Sequence, residues 1–404
     1  MRIPALSCLL VAVLTLAACG GGGGDPKSTV AVIGDVPYGA SPTDTSQFIA
    51  NSAFINAINL DTDVSLLLHV GDIHSGKEYC TEVYDQAVFN QWKASRIPVV
   101  YTPGDNEWAD CHKIKEGGGS YNATTGKIDF ALDSGGRQID YAGGDPAANL
   151  RLIRSIYFAA PGKAIGGASP LAVHSQAQEF DANFPGDKAY VENVWYEQSG
   201  VLFVTLNVPG GSNNDTDPWY GAPAMGAVQS QEVANRSDAD KRWLDTAFKR
   251  ATSNGDRAVV IQLQADMWDV DGAATTHISQ YKQFIDSIAL NAKAFGKPVL
   301  LFNGDSHIYR SDNPLSPGAP CVIEPSPGAA AVACSSATVP STYGNADPYL
   351  NQPDGYSVTN FHRVTVHGST TPLEWLKLTI DPDANAAVGA VDAFGPFSWK
   401  RIRP

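Results

Sequence analysis

The sequence predicts an α/β protein built around a largely parallel sheet with helices on its faces. Short apolar runs alternate with longer helix-compatible stretches at intervals of about 30–35 residues, the rhythm of βαβ units. Three consecutive apolar runs end in the same dipeptide, Gly34-Asp35, Gly71-Asp72 and Gly104-Asp105. A hydrophobic content of 43% over 404 residues supplies material for a sizeable core.

Residues 27–34 read as a buried strand (Thr29-Val30-Ala31-Val32-Ile33), followed by a helix over 43–60 and a second strand over 64–70. A helix over 83–95 leads to a third strand, Ile97-Pro98-Val99-Val100-Tyr101. Residues 112–190 are rich in Gly, Asn and Ser and read as an irregular insertion over the active face, with one helix over 145–158 opened by Asp145-Pro146. Residues 189–197 and 201–207 read as an antiparallel strand pair. Helices over 230–253 and 276–294 flank strands over 258–263 and 298–302. From Tyr356 onward, Val358, Phe361, Val364 and Val366, then residues 375–380, predict antiparallel strands.

The amino terminus predicts export. Arg2 precedes an apolar run over residues 5–16. That run of about 12 residues is too short to span a hydrocarbon core of roughly 30 Å. It ends in Leu16-Ala17-Ala18-Cys19, which resembles the lipobox of bacterial lipoproteins, with Cys19 as the lipidated residue. The division expected is a signal peptide over 1–18, a glycine-rich tether over 19–28 and one domain over 29–404. Gly20 after the cysteine points to the periplasmic face of an outer membrane or to the cell surface, with the lipid as the membrane contact.

The formal charge of −14 argues against nucleic acid as a partner. Cys80, Cys111, Cys321 and Cys334 remain after the signal and the anchor are set aside. In an oxidising compartment an even count suggests disulfides, and sequence proximity favours Cys80–Cys111 and Cys321–Cys334 among three possible pairings. No CxxC spacing supports a zinc site from these four.

A single Gly-Asp is more often a turn than a ligand. Asp35, Asp72, Asp105 and Asp305 differ in that each follows closely on an apolar strand, and His307 lies two residues past Asp305. In a parallel α/β sheet, ligands bind outside the carboxyl ends of the strands. Carboxylates gathered there repel one another and call for a cation, and oxygen donors with one imidazole suit a divalent metal.

These motifs, Gly34-Asp35-Val36-Pro37-Tyr38, Gly71-Asp72, Gly104-Asp105-Asn106-Glu107, the strand end at Gln264, and Gly304-Asp305-Ser306-His307, resemble in order and spacing those of the calcineurin-like metallophosphoesterases. The resemblance implies layered β-sheets flanked by helices in a single catalytic-type domain. It also implies hydrolysis of a phosphorylated small molecule or phosphodiester by attack of a metal-bound hydroxide. Asp72 would bridge two metals, Asp35 and His307 would hold one, and Asp105, Gln264 and Asp305 would occupy the positions that hold the other. Asn106 would contact the phosphoryl oxygens.

Several positions depart from the family pattern. Pro37, Asn106, Gln264 and Asp305 stand where the family has histidine, and Asp105 where it has asparagine. The remaining oxygen-rich set favours Mg²⁺, Mn²⁺ or Ca²⁺ over softer ions, with Fe and Zn still open, and the count is one or two. Asn106 cannot donate a proton to a leaving group, a loss of about 10²–10⁴ in rate. Three readings follow: the substrate has a good leaving group; another residue, His74 first and then His112, supplies the proton; or the protein binds metal or ligand without turnover. A structural surface protein without metal is a further alternative.

Overall fold

The computed structural model describes residues 25–269, 279–334, 357–387 and 389–404. The expected signal, Cys19 and most of the tether lie outside these residues, as do residues 276–278 of the expected helix and Tyr356. In chain order the strands are β1 (Ser28–Ile33), β2 (Val64–His69), β3 (Pro98–Tyr101), β4 (Gly119–Asn122), β5 (Lys127–Phe130), β6 (Ile165–Gly166), β7 (His174–Ser175), β8 (Val194–Gln198) and β9 (Val201–Thr205). They continue with β10 (Ala258–Gln262), β11 (Val299–Asn303), β12 (Arg310–Asp312), β13 (Val322–Ile323), β14 (Val332–Ala333), β15 (Phe361–Thr365), β16 (Trp375–Ile380), β17 (Ala393–Phe394) and β18 (Phe397–Ile402).

Two mixed sheets form the centre. One runs β17-β18-β16-β1-β2-β3-β6, and the other β14-β13-β12-β15-β11-β10-β9-β8-β7. β1, β2 and β3 are parallel, as are β9, β10, β11 and β15. The period of two along each strand sorts its side chains between two cores. Val30, Val32, Leu66, Leu68 and Val100 of the first sheet pack with Val260, Leu300, Phe302 and Val364 of the second, so the sheets lie face to face. Ala31, Ile33, Leu67, Val99 and Tyr101 point the other way, onto Phe54, Ile58, Val88, Trp92 and Ile153. Those residues belong to helices Ser46–Leu60, Glu82–Lys93 and Pro146–Tyr157. Val259, Ile261, Val299 and Leu301 pack on Trp243, Leu244, Phe284 and Ile288 of helices Ala227–Asn254 and Lys282–Phe295. The result is a four-layer α/β/β/α arrangement, the layered fold that the motifs implied. Among the described residues, no helix is long and apolar enough to cross a membrane.

Helix starts follow their caps. The Asp145 carboxylate accepts from Ala148 N at 2.9 Å ahead of Pro146, and the Thr81 hydroxyl accepts from Tyr84 N at 3.3 Å. Within residues 112–190, β4 and β5 form a separate hairpin, while β6 and β7 each extend a main sheet. The carboxyl-terminal region differs from expectation in two respects. β15 runs parallel to β11 and antiparallel to β12, and β16 leaves it altogether to pair antiparallel with β1 and β18 in the other sheet. Both disulfides form as expected, Cys80–Cys111 and Cys321–Cys334.

Candidate metal centre

Each site residue sits on a loop leaving the carboxyl end of a parallel strand. Asp35 follows β1, Asp72 follows β2 and Asp105 follows β3, while Gln264 follows β10, and Asp305 and His307 follow β11. The loops are laced together. Asp35 N donates to Gly71 O at 2.9 Å, Val36 N to Asp72 O at 3.2 Å, and Gly304 N to Gln264 O at 3.0 Å. Asp35, Asp72, Asp305 and His307 all have left-handed φ, at 52°, 62°, 73° and 63°. Such conformations cost about 1–3 kcal/mol each in a non-glycine residue and concentrate at functional sites. Gly71, with φ 110°, could not be replaced simply, because a Cβ there would stand 2.7 Å from Gln264 Cβ in the facing sheet.

Asp35, Asp72 and His307 converge, each offering one ligand atom with all three atoms within 4.8 Å of one another. His307 Nε2 lies 3.4 Å from Asp35 Oδ1, and that same oxygen accepts from Asp305 N at 3.0 Å. Asp35 Oδ2 is buried without a hydrogen-bond partner. Two carboxylates and one imidazole suit a divalent cation.

Asp72 is the most heavily bonded member. Its Oδ2 accepts from Tyr38 OH at 2.5 Å, Asn106 Nδ2 at 2.9 Å and Gln264 Nε2 at 3.3 Å, and its Oδ1 from Asn106 N at 3.3 Å. Asn106 Nδ2 also reaches Tyr38 OH at 2.9 Å. The Asn106 amide is therefore engaged with Asp72 and Tyr38, which gives it a positioning part at the cleft. Glu107 holds this corner from beneath: its Oε1 accepts from Gly104 N at 2.6 Å, from Asp72 N at 3.2 Å and from Tyr101 OH. Tyr38 and Glu107 were not singled out from sequence, although both close a quoted motif.

The other half of the expected site is arranged differently. Asp105 and Asp305 line the same cleft but fall outside the converging trio. Asp305 Oδ2 accepts from Asp266 N at 3.0 Å, and Asp266 is ion-paired with Arg363. Gln264 turns its Nε2 to Asp105 Oδ1 at 3.0 Å and gives its Oε1 to the Gly210 N–H. It thus presents hydrogens to the carboxylates, where a metal ligand would present oxygen. The segment over residues 207–214 serves that contact, and a Cβ on Gly210 would come within 2.5 Å of Asp305 Oδ1.

His74 is not placed to donate a proton into the cleft. It is fully buried, its Nδ1 lies 3.2 Å from Ser75 O, and its ring packs edge-on to Tyr84. The turn after Asp72 sends Ser75, Gly76 and Lys77 to the cleft instead. His112 is likewise buried, with Nδ1 accepting from Tyr220 N at 2.9 Å. His69, the last residue of β2, is a core histidine whose Nε2 lies 2.9 Å from Val36 O.

The cleft has a volume of about 610 Å³ and runs from Asp72, Asn106 and His307 to a rim bearing Lys77 and Lys115. Burial pushes the Asp35 carboxyl up to about 8, aided by the charges of Asp105 and Glu107. Burial also raises Asp105 to about 7, with Asp110 adding to it, and raises Asp72 and Asp305. His307 is pushed down to about 4 by burial and by His367 and Lys77, a shift that solvent moderates because its side chain is 36% exposed. Protonated carboxyls beside a neutral imidazole are what a cation-binding cluster shows when its negative charge is uncompensated.

Comparison with known proteins bears on this geometry. Residues 28–224 match the calcineurin-like phosphoesterase family, a span that carries Asp35, Asp72, Asp105 and Asn106 and ends before Gln264, Asp305 and His307. No curated protein matches the sequence. Among solved structures, that of PhoD is 10% identical and aligns over 94% of this chain and 72% of that chain, with a TM-score of 0.42. Over residues 28–224, just under half of its length, this chain is thus similar to the calcineurin-like phosphoesterases.

Proposed function

We propose that this protein hydrolyses phosphate esters with a divalent metal, outside the cytoplasm. One observation carries the reading: Asp35 and Asp72 of the first sheet and His307 of the second bring ligand atoms within 4.8 Å of one another, and Asp72 and His307 line an open cleft. A divalent ion held there would supply positive charge to the phosphoryl group and acidify a water molecule. The chain's own residues do the rest. Lys77 and Lys115 draw an anionic ester to the rim, Tyr38 and Asn106 fix the Asp72 carboxylate, and Glu107 holds the Gly104-Asp105 turn. With His74 turned away, a substrate whose leaving oxygen needs no protonation fits the cleft best, such as an aryl ester.

Two disulfides and the Leu16-Ala17-Ala18-Cys19 sequence support an exported, lipid-anchored protein. Replacing Cys19 by Ala should move the protein from the membrane fraction to the soluble one.

The test of activity is Asp72→Asn, assayed on an aryl phosphate with added Mn²⁺. Loss of hydrolysis with the fold intact supports the reading, and unchanged hydrolysis removes it. A non-catalytic metal- or ligand-binding lipoprotein is the second reading, favoured by the cleft lining, in which His307 is the only histidine among the described residues. Metal binding without turnover of any mono- or diester would select it.

A further inference from the structure

The amide of Gln264 has only one orientation consistent with its surroundings. It is fully buried, so no water can serve in place of a protein partner. The Gly210 N–H points at one end of the amide and can only donate, so that end is the oxygen. The other end therefore carries the NH₂, and its hydrogens meet Asp105 Oδ1 at 3.0 Å and Asp72 Oδ2 at 3.3 Å. Turning the amide over would set NH₂ against N–H at one end and oxygen against two carboxylates at the other, and each buried mismatch costs about 1–3 kcal/mol.

The space around this amide is also filled by backbone. A Cβ on Gly210 would lie 2.5 Å from Asp305 Oδ1 and 3.0 Å from Asp105 Oδ2, so the chain after Pro209 passes close against both carboxylates. Asp305 Oδ2 is bonded to Asp266 N and Asp105 Oδ1 to Gln264. Hydrogen-bond donors thus already face the carboxylates that a second ion would have to draw together. Within the trio of Asp35, Asp72 and His307, Asp72 Oδ2 shares the Gln264 contact, whereas Asp35 Oδ2 is buried with no donor.

We propose that this chain holds a single divalent ion, at Asp35, Asp72 and His307, and that the Gln264 amide, locked by Gly210 N–H, stands in place of a second. The inference rests on the metal-dependent reading above and narrows it to a one-ion site. It follows that the phosphoryl group meets one ion and the lysine rim, not a pair of ions.

The test is metal content, independent of activity. The full chain is stripped with a chelator, titrated with Mn²⁺, and read by elemental analysis and by electron paramagnetic resonance. One ion per chain with an isolated six-line Mn²⁺ signal at saturation is expected. Gln264→Glu keeps the bond to Gly210 and turns an oxygen toward Asp72 and Asp105, so it should raise the content to two ions and give an exchange-coupled spectrum. Two coupled ions in the unaltered protein would overturn the inference and leave the metal-dependent reading standing. No bound ion at millimolar Mn²⁺ would overturn both.

Discussion

The phenol of Tyr38 donates a 2.5 Å hydrogen bond to Oδ2 of Asp72, joining the loop after the first strand to the loop after the second. Asn106 Nδ2 touches both partners, at 2.9 Å each. Tyr38→Phe removes the donor and leaves the ring. Partners that orient a ligand carboxylate are worth about 10–100-fold in metal affinity or activity. The expected result is a loss of that size in Mn²⁺ affinity by calorimetry, with little change in melting temperature.

Gly104 is pinned against the same carboxylate. A Cβ there would collide with Asp72 Oδ1 and stand 2.6 Å from Asp72 N, which is backbone and cannot swing aside. Gly104→Ala should destabilise the protein by about 1–3 kcal/mol through overpacking and displace Asp72. Denaturant unfolding and Mn²⁺ titration together check this, and an unchanged midpoint with unchanged affinity would count against the packing described.

The lysine rim can be tested by its salt dependence. Lys77 has no carboxylate partner within 4 Å among the described residues, while Lys115 lies 3.6 Å from Glu116. Replacing both by Ala should raise KM for an aryl phosphate roughly tenfold at low salt, the low end of electrostatic focusing, with kcat nearly constant. The difference should shrink as ionic strength rises, because exposed charges are screened.

Cys80–Cys111 closes 31 residues, and its two sulfurs lie 3.3 and 3.5 Å from the Asn106 carbonyl oxygen. Loop-closure entropy puts its removal at about 3–4 kcal/mol. The Cys80→Ala, Cys111→Ala double variant should therefore melt well below the parent and lose Mn²⁺ affinity, since the bridge underlies the loop that bears Asp105 and Asn106.

A pH effect should originate at a residue that does not line the cleft. Asp240, on helix Ala227–Asn254, is fully buried, and burial raises its carboxyl to about 8. Its Oδ1 accepts from Asn193 Nδ2 at 2.6 Å, while Oδ2 has no partner. In the folded state it keeps its proton up to about pH 8, whereas the unfolded chain releases it near 4. Its contribution is thus fully present below about pH 4 and declines as pH rises, until it is lost above the folded value, by at most about 1.4 kcal/mol per pH unit. Asp240→Asn should lose less stability than the parent between pH 5 and pH 8.5 in urea unfolding. Equal slopes would show that the carboxyl is not protonated.

Much of this architecture was legible from apolar runs that end in Gly-Asp. The central strands of both sheets and the positions of Asp35, Asp72 and His307 follow from that pattern, because a parallel strand buried on both faces needs an uninterrupted apolar run. Alternation alone carries no direction, so the parallel pairing of Phe361–Thr365 with Val299–Asn303 was not visible. Nor was the transfer of Trp375–Ile380 to the other sheet. His74 lies two residues from Asp72, but its ring follows the turn toward Tyr84. The orientation of Gln264 is set by Gly210, 54 residues away in sequence, and no local pattern encodes it.

The two sheets contribute different members of the converging trio: Asp35 and Asp72 come from one, His307 from the other. An ion shared between them acts as a rivet through the sandwich, resisting slip of one layer over the other. Its binding energy is then spread over the whole folded state instead of one loop. Chelation should accordingly lower the cooperative melting transition of the entire domain, by an amount that grows with the logarithm of metal concentration over its dissociation constant. The supply of that ion would then govern how long the folded protein lasts.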